Sequence, residues 1–167
     1  VIRDAQLSPR YFYESFPDRA ALLVAVFDVA LQQLQERVTA AMAEASTDPV
    51  MQTRAAFSAV ASVFEHDPRI ARIMLREALA EAALRDHAYA ALSLFISTTS
   101  LNLLDESWYR QTDPVMLRLD ISALAGTSLS VFLDWTEGRL DITQQQLVDY
   151  LTDTVDGMVR RRLNSTR

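Results

Sequence analysis

The sequence predicts an all-α protein, and three observations carry that expectation. Apolar residues recur at spacings of three and four along most of the chain and nowhere alternate as in a half-buried strand. Four of the five prolines directly follow a residue that caps helices, at Ser8-Pro9, Asp48-Pro49, Asp67-Pro68 and Asp113-Pro114. A capping side chain accepts from the free N–H groups of a first turn, and Pro at the first helical position loses only an N–H that had no partner. Late in the chain, Thr143 and Gln146 stand at the spacing of a capping box.

In chain order, the first helix is short. With Ser8 as N-cap, Phe12 and Phe16 fall on one side, and Leu7 stands where it can staple to Phe12. Arg10, Tyr11 and Glu14 point the opposite way, and Tyr13 and Ser15 lie on the flanks. Pro17 breaks this helix and Asp18 caps the next, so two helices meet through a very short connection. From Asp18 to about Ala45, Leu22, Val26, Ala30, Leu34, Val38 and Ala41 form one stripe, with Phe27, Leu31 and Met42 beside it. That is an amphipathic helix of about 28 residues, near 42 Å long. Asp48-Pro49 starts a helix with Phe57, Val60 and Phe64 on one stripe, and Asp67-Pro68 another with Ile70, Ile73, Met74 and Leu79. A further helix spans about Asp86 to Leu104. Residues 115–137 form a strongly apolar helix that Gly138 suits as a stop. The last helix follows the Thr143 capping box, stapled by Ile142 and Leu147, and runs to about Arg162 along Leu147, Leu151 and Val155.

Composition bounds what such a bundle can do. The chain has 167 residues, half of them apolar, with three Gly and no Cys. It is long enough for a real core, and disulfides, thiolate metal sites and cysteine nucleophiles are excluded together. No apolar run approaches the ~20 residues of a membrane span, and VIRDAQ lacks the layout of a signal peptide, so the expectation is a soluble, cytoplasmic protein with no membrane contact. Residues 20–157 carry nine basic against nineteen acidic groups, a net −10 that repels nucleic acid, whereas residues 158–167 carry four Arg and no acid. Any nucleic-acid contact therefore belongs to an end of the chain.

No enzyme chemistry emerges. His66 and His87 have no ligand partner at metal spacing, and Glu77 and Glu81, one turn apart, lack the Glu-x-x-His element of a carboxylate-bridged metal bundle. Three scattered glycines build no phosphate or dinucleotide loop. No cofactor and no metal are expected. Phe57, Phe64, Met74, Phe95, Trp108, Tyr109 and Phe132 are candidates to line a ligand cavity between the middle helices, although spacing alone does not separate cavity lining from core. Polar residues among them, Arg76, Glu77, Thr98, Thr99 and Asn102, are candidate orienting groups, with solvent-facing helix surface as their plainer role. Gly126 and Ser130, four apart, permit close helix approach, and the last two helices either meet a symmetry mate or close the monomer's own core. A short helix with an outward Arg-Tyr-Glu side has the size of a recognition helix in a major groove, or else its aromatics cap the bundle.

The stretch LSPRYFYESFPDRAALL, Leu7 to Leu23, resembles the signature of TetR-type transcriptional regulators. Leu7, Ser8, Phe12, Tyr13, Phe16, Pro17, Arg19, Leu22 and Leu23 stand at the places of the family pattern. The late segment LAGTSLSVFLDWTEGRLDITQQQLVDYL is similar to the family's last two helices, with Gly126, Trp135, Gly138 and Leu140 at familiar places. The resemblance implies a TetR-like bundle in which residues 1–17 are the end of a helix-turn-helix domain and residues 18–167 a ligand-binding and dimerisation domain. It implies a ligand-responsive repressor, a homodimer through residues 115–137 and 143–163, with operator DNA and a hydrophobic small-molecule effector as partners. Ser8, Tyr13 and Arg19 become phosphate contacts, and Pro9, Arg10, Tyr11 and Glu14 face the bases. Ser15 replaces a frequent His, and only VIRDAQ stands where the family carries further helices, so operator binding is expected of a full-length protein only. The competing reading is an all-α module that binds a protein or a small molecule without touching DNA.

Overall fold

A computed structural model describes residues 16–103 and 113–165, and all regular structure among them is helical, as the sequence predicts. The expected first helix, with Ser8, Pro9, Arg10, Tyr11, Tyr13 and Glu14, lies outside the described residues, as do Trp108, Tyr109 and the side chain of Asn102.

The helix starts follow the capping chemistry. α1, Arg19–Glu44, is capped by Asp18, whose carboxylate accepts from the Ala21 N–H at 2.8 Å. α2, Pro49–His66, is capped by Asp48 through the Met51 N–H at 3.0 Å. α3 opens at Pro68–Ala71 under Asp67, continues through a π-helical segment, Arg72–Glu77, and ends with Ala78–Ala80. Arg69 forks onto Asp67, and that hydrogen bond holds the Asp67 carboxyl below its ordinary range. α4, Ala82–Leu103, begins several residues before the expected Asp86, because the chain breaks at Glu81, which is extended at φ −99° and ψ 117°. α5, Pro114–Thr136, is capped by Asp113 through the Val115 N–H at 2.7 Å. It stops in a Schellman turn: Gly138 at φ 72° donates to Trp135 O, and Arg139 donates to Asp134 O at 2.8 Å. α6, Gln144–Ser165, starts in the expected capping box. Gln146 N–H donates to the Thr143 hydroxyl at 3.2 Å and Thr143 N–H to Gln146 Oε1 at 2.9 Å.

Packing places α1 against α2 and α4, and α2 between α1 and α6, with α5 leaning on α4 and α6 at the margin. The buried stripe of α1 is Phe27, Ala30, Leu31, Leu34, Val38 and Met42, so the expected stripe is rotated by about one residue and Val26 is exposed. Both edges of that stripe fit a helical period, and the structure buries the one with the larger side chains, which removes more apolar area from water. In α3 the successive residues Ile73, Met74 and Leu75 are all buried, and the π turn, with more residues per turn than an α-helix, keeps them closer to one side. Arg72 Nε meets Glu77 Oε1 at 3.1 Å across five residues, the reach of that turn.

Side-chain ties fix α6. Arg54 pairs with Asp149, Gln144 Nε2 donates to the Ser62 hydroxyl at 2.9 Å, and Arg162 forks onto Asp120 of α5 at 2.7 and 3.0 Å. Leu147 and Leu151 are fully buried under these ties, against α2 and α5.

α5 differs from the others. By length and composition alone it is apolar enough to cross a membrane, with a mean hydropathy of 1.4 over its most apolar window, of which only 11% is buried. No uninterrupted apolar run announces this, because Arg118, Asp120 and Asp134 punctuate the helix.

The last helix is load-carrying through its buried face. Leu151→Ala is expected to lower the free energy of unfolding by about 2–5 kcal/mol in urea titration; a loss below about 1 kcal/mol would mean that α6 is not part of the cooperative core.

Candidate ligand cavity

The five helices α1 to α5 converge on a cavity of about 280 Å³. Its walls are built from side chains that the helical period delivers to one side of each helix. α1 contributes Phe27 and Leu31, α2 Phe57 and Phe64, and α3 Met74 and Leu75. α4 adds Leu92 and Phe95, and α5 adds Leu129 and Phe132. Phe132 is the centre of the aromatic packing: its ring lies edge-on to Phe64 at 5.4 Å and tilted against Phe57 at 6.5 Å. The space survives because small residues stand where the helices face one another, Ala78 on α3, Ala88 on α4 and Ala125 on α5. A close-packed interior would fill such a gap.

The mouth lies between the end of α3, the start of α4 and the middle of α5, where the lining residues Leu79, Arg85 and Tyr89 are exposed. Tyr89 donates its hydroxyl hydrogen to the Ser122 hydroxyl at 2.9 Å and so spans α4 and α5. Arg85 donates from Nε and Nη2 to the Leu79 carbonyl, at 3.2 and 2.9 Å, which holds its guanidinium across the α3–α4 junction. Among the described residues it is the one charged residue in the lining.

Ser128 supplies the other polar point. It is 9% exposed, and its hydroxyl makes no hydrogen bond with any described residue. Other hydroxyls on these helices return to the carbonyl four residues back, Thr53 to Pro49, Ser97 to Ser93 and Thr152 to Val148. A buried hydroxyl without a partner is costly, and here it borders the cavity.

The structure thus brings Phe57, Phe64, Met74, Phe95 and Phe132 together on the cavity wall. Thr99 instead borders a small neighbouring space of about 80 Å³ that shares Phe57, Phe95 and Ser128. Glu77 is away from the cavity and pairs with Arg72 and, at 3.7 Å, with Arg19. Thr98 is exposed and bonds back to its own helix. Arg76 faces a broader depression of about 440 Å³ beside Glu65, Arg72 and Glu137. That depression is larger but open and lined with charges of both signs, so the apolar cavity is the better place to bury a small molecule. Arg85, Tyr89 and Ser128 are absent from the sequence-based candidates. A Ser within the apolar run SLSVFL is the only signal that points to any of them.

Arg19, expected at DNA phosphate, is exposed at the first turn of α1 and pairs with Glu81 at 3.4 Å as well as with Glu77. His87 Nε2 lies 2.6 Å from Asp28 Oδ1, and its ring stands edge-on to Phe27 at 5.8 Å, tying α4 to α1 beside the cavity wall.

No protein-family model, curated protein or solved structure matches the chain, so the reading of the site rests on its own geometry.

Replacing Ser128 by Ala deletes a buried hydroxyl that has no partner among the described residues. The variant is expected to unfold with unchanged free energy or up to ~1 kcal/mol more, measured by urea denaturation without ligand. Destabilisation beyond that size would mean the hydroxyl is bonded in the native protein.

Proposed function

We propose that this chain is the effector-binding and dimerisation part of a TetR-like, ligand-responsive DNA-binding repressor. The observation that carries the reading is that the apolar cavity is walled by α1, the helix that directly follows the Leu7–Phe16 stretch. A ligand pressing on Phe27 and Leu31, in the N-terminal half of α1, would act on the helix that the resemblance joins to a recognition helix. Pro17 and Asp18 make the joint short, so a small tilt of α1 changes the separation of two reading heads in a dimer. For the ligand to release DNA, it must bind the DNA-incompetent arrangement more tightly by the coupling free energy.

The outer face of α5 supports the dimer. Val115 and Leu119 are 62% and 55% exposed, and Gly126 and Ser130 are exposed on the same helix. A Cβ added at Gly126 would meet nothing within 4 Å, so the helix has room for a close neighbour there. An apolar face of this kind on a helix that its own bundle leaves uncovered suits an isologous contact with a second copy.

Gel retardation tests the DNA half. The full-length protein is expected to shift DNA from upstream of its own gene, more weakly as salt rises, with Arg10→Ala costing about 1–3 kcal/mol. Absence of a shift at low salt would sink the repressor reading in favour of a binding module without DNA contact. The dimer is tested separately by sedimentation. The chain is expected to sediment as a dimer and Leu119→Glu as a monomer with unchanged helicity, whereas a wild-type monomer would remove the α5 interface.

A further inference from the structure

Among the described residues the lining of the cavity is apolar but for one cation and the Tyr89 hydroxyl at the mouth and the Ser128 hydroxyl within, and the cation has no acidic partner. Glu81, at the extended break just before α4, is the acidic residue four positions before Arg85. It turns instead to Arg19, at 3.4 Å. Arg85 consequently makes no ion pair among the described residues and spends Nε–H and one Nη2–H on the Leu79 carbonyl. What remains is the outer Nη1–Nη2 edge, which can fork onto a carboxylate with two parallel hydrogen bonds. The two bonds to Leu79 already hold the guanidinium plane, so less side-chain freedom is lost when an anion arrives.

We propose that the cavity receives a small apolar carboxylic acid, its carboxylate on Arg85 at the mouth and its hydrocarbon body against Phe27, Phe57 and Phe132. The proposal rests on the reading of this cavity as the effector site and adds the chemical class. Size sets the body. At ~30 Å³ per non-hydrogen atom, the share of one water in the liquid, about 280 Å³ holds roughly nine atoms. That is a medium-chain acid rather than a long-chain one. Charge sets the head. The net charge of the chain is −6, so an anion is disfavoured over most of the surface, and the unpaired guanidinium makes the mouth an exception.

Octanoate and octanol share a chain and differ in the head, and isothermal titration of the whole chain with each, at low ionic strength, separates the contributions. Octanoate is expected to bind about tenfold more tightly than octanol, equivalent to ~1.4 kcal/mol. In Arg85→Gln the two affinities should converge to within about threefold, with octanol binding as in the wild type, which also shows that the variant is folded. Octanol matching octanoate in the wild type, or a preference for octanoate that survives Arg85→Gln, would overturn the assignment of the acid while leaving the cavity as a binding site. Failure of both probes to bind would overturn the effector-site reading and this proposal together.

Discussion

Burial of one face of α1 is the constraint on which the rest of the bundle depends. Phe27, Leu31, Leu34 and Val38 are each less than a tenth exposed, and α2, α3 and α4 all pack around that stripe. Each such side chain contributes about 1.5–3 kcal/mol when removed from water. The same stripe forms one wall of the cavity, so the core of the bundle and its candidate site are not separate regions. A closed, dry cavity of this volume forfeits on the order of 7 kcal/mol, at ~24 cal/mol per Å³, a large part of a domain's usual 5–15 kcal/mol. Access through the mouth lowers that cost. Three small buried residues, Ala78, Ala88 and Ala125, keep the space where larger side chains would fill it. Packing is therefore less than maximal at one place, the place where the proposed ligand would sit.

What was legible in the sequence follows from how local each interaction is. Asp18, Asp48, Asp67, Asp113 and Thr143 cap helices through bonds spanning two or three residues, so they can be read without knowing the fold. The rotation of the α1 stripe away from Val26 was not legible, because the choice between two edges of one helix is made by its neighbours. Neither was the π segment, which answers a demand for three consecutive buried residues that exists only once α3 is docked. Among the candidate aromatics Phe57, Phe64, Phe95 and Phe132 share the cavity wall, since large apolar side chains at helical spacing converge wherever five helices meet. Glu77 lies away from the cavity wall, in ion pairs that the spacing of its own helix does not announce. Its partner Arg72 lies five residues away, a distance that only a π turn brings together.

The uncovered face of α5 bears on the charge pattern as well. The helix is anchored at its polar start by Asp120 to Arg162, and at its end by the Trp135 indole N–H to Ile142 O at 3.2 Å. Between those points its outward residues are apolar or small, and the strong negative charge of the middle of the chain is carried elsewhere. Two copies meeting on this face would thus bring little like charge together, while the remaining acidic surface would keep the assembly soluble and discourage further association.

In the proposed regulator, the two events that must be coupled meet at the α3–α4 junction. Leu79 and Arg85 form the cavity mouth there, and Glu77 and Glu81 on the same turns hold Arg19, the first residue of α1. An anion drawn to Arg85 and a phosphate drawn to Arg19 would therefore act on opposite sides of one short segment. If Arg19 leaves the two glutamates for a phosphate, Glu81 becomes available to Arg85, four residues on in the first turn of α4, and competes with an anionic ligand for it. The reverse holds as well: a ligand carboxylate on Arg85 leaves Glu81 with Arg19 as its partner and so opposes release of that arginine to DNA. Linkage requires the two effects to be equal in free energy. Because the pairs are exposed, each contributes no more than about 1 kcal/mol, so the switch would need the tilt of α1 in addition to this exchange of partners.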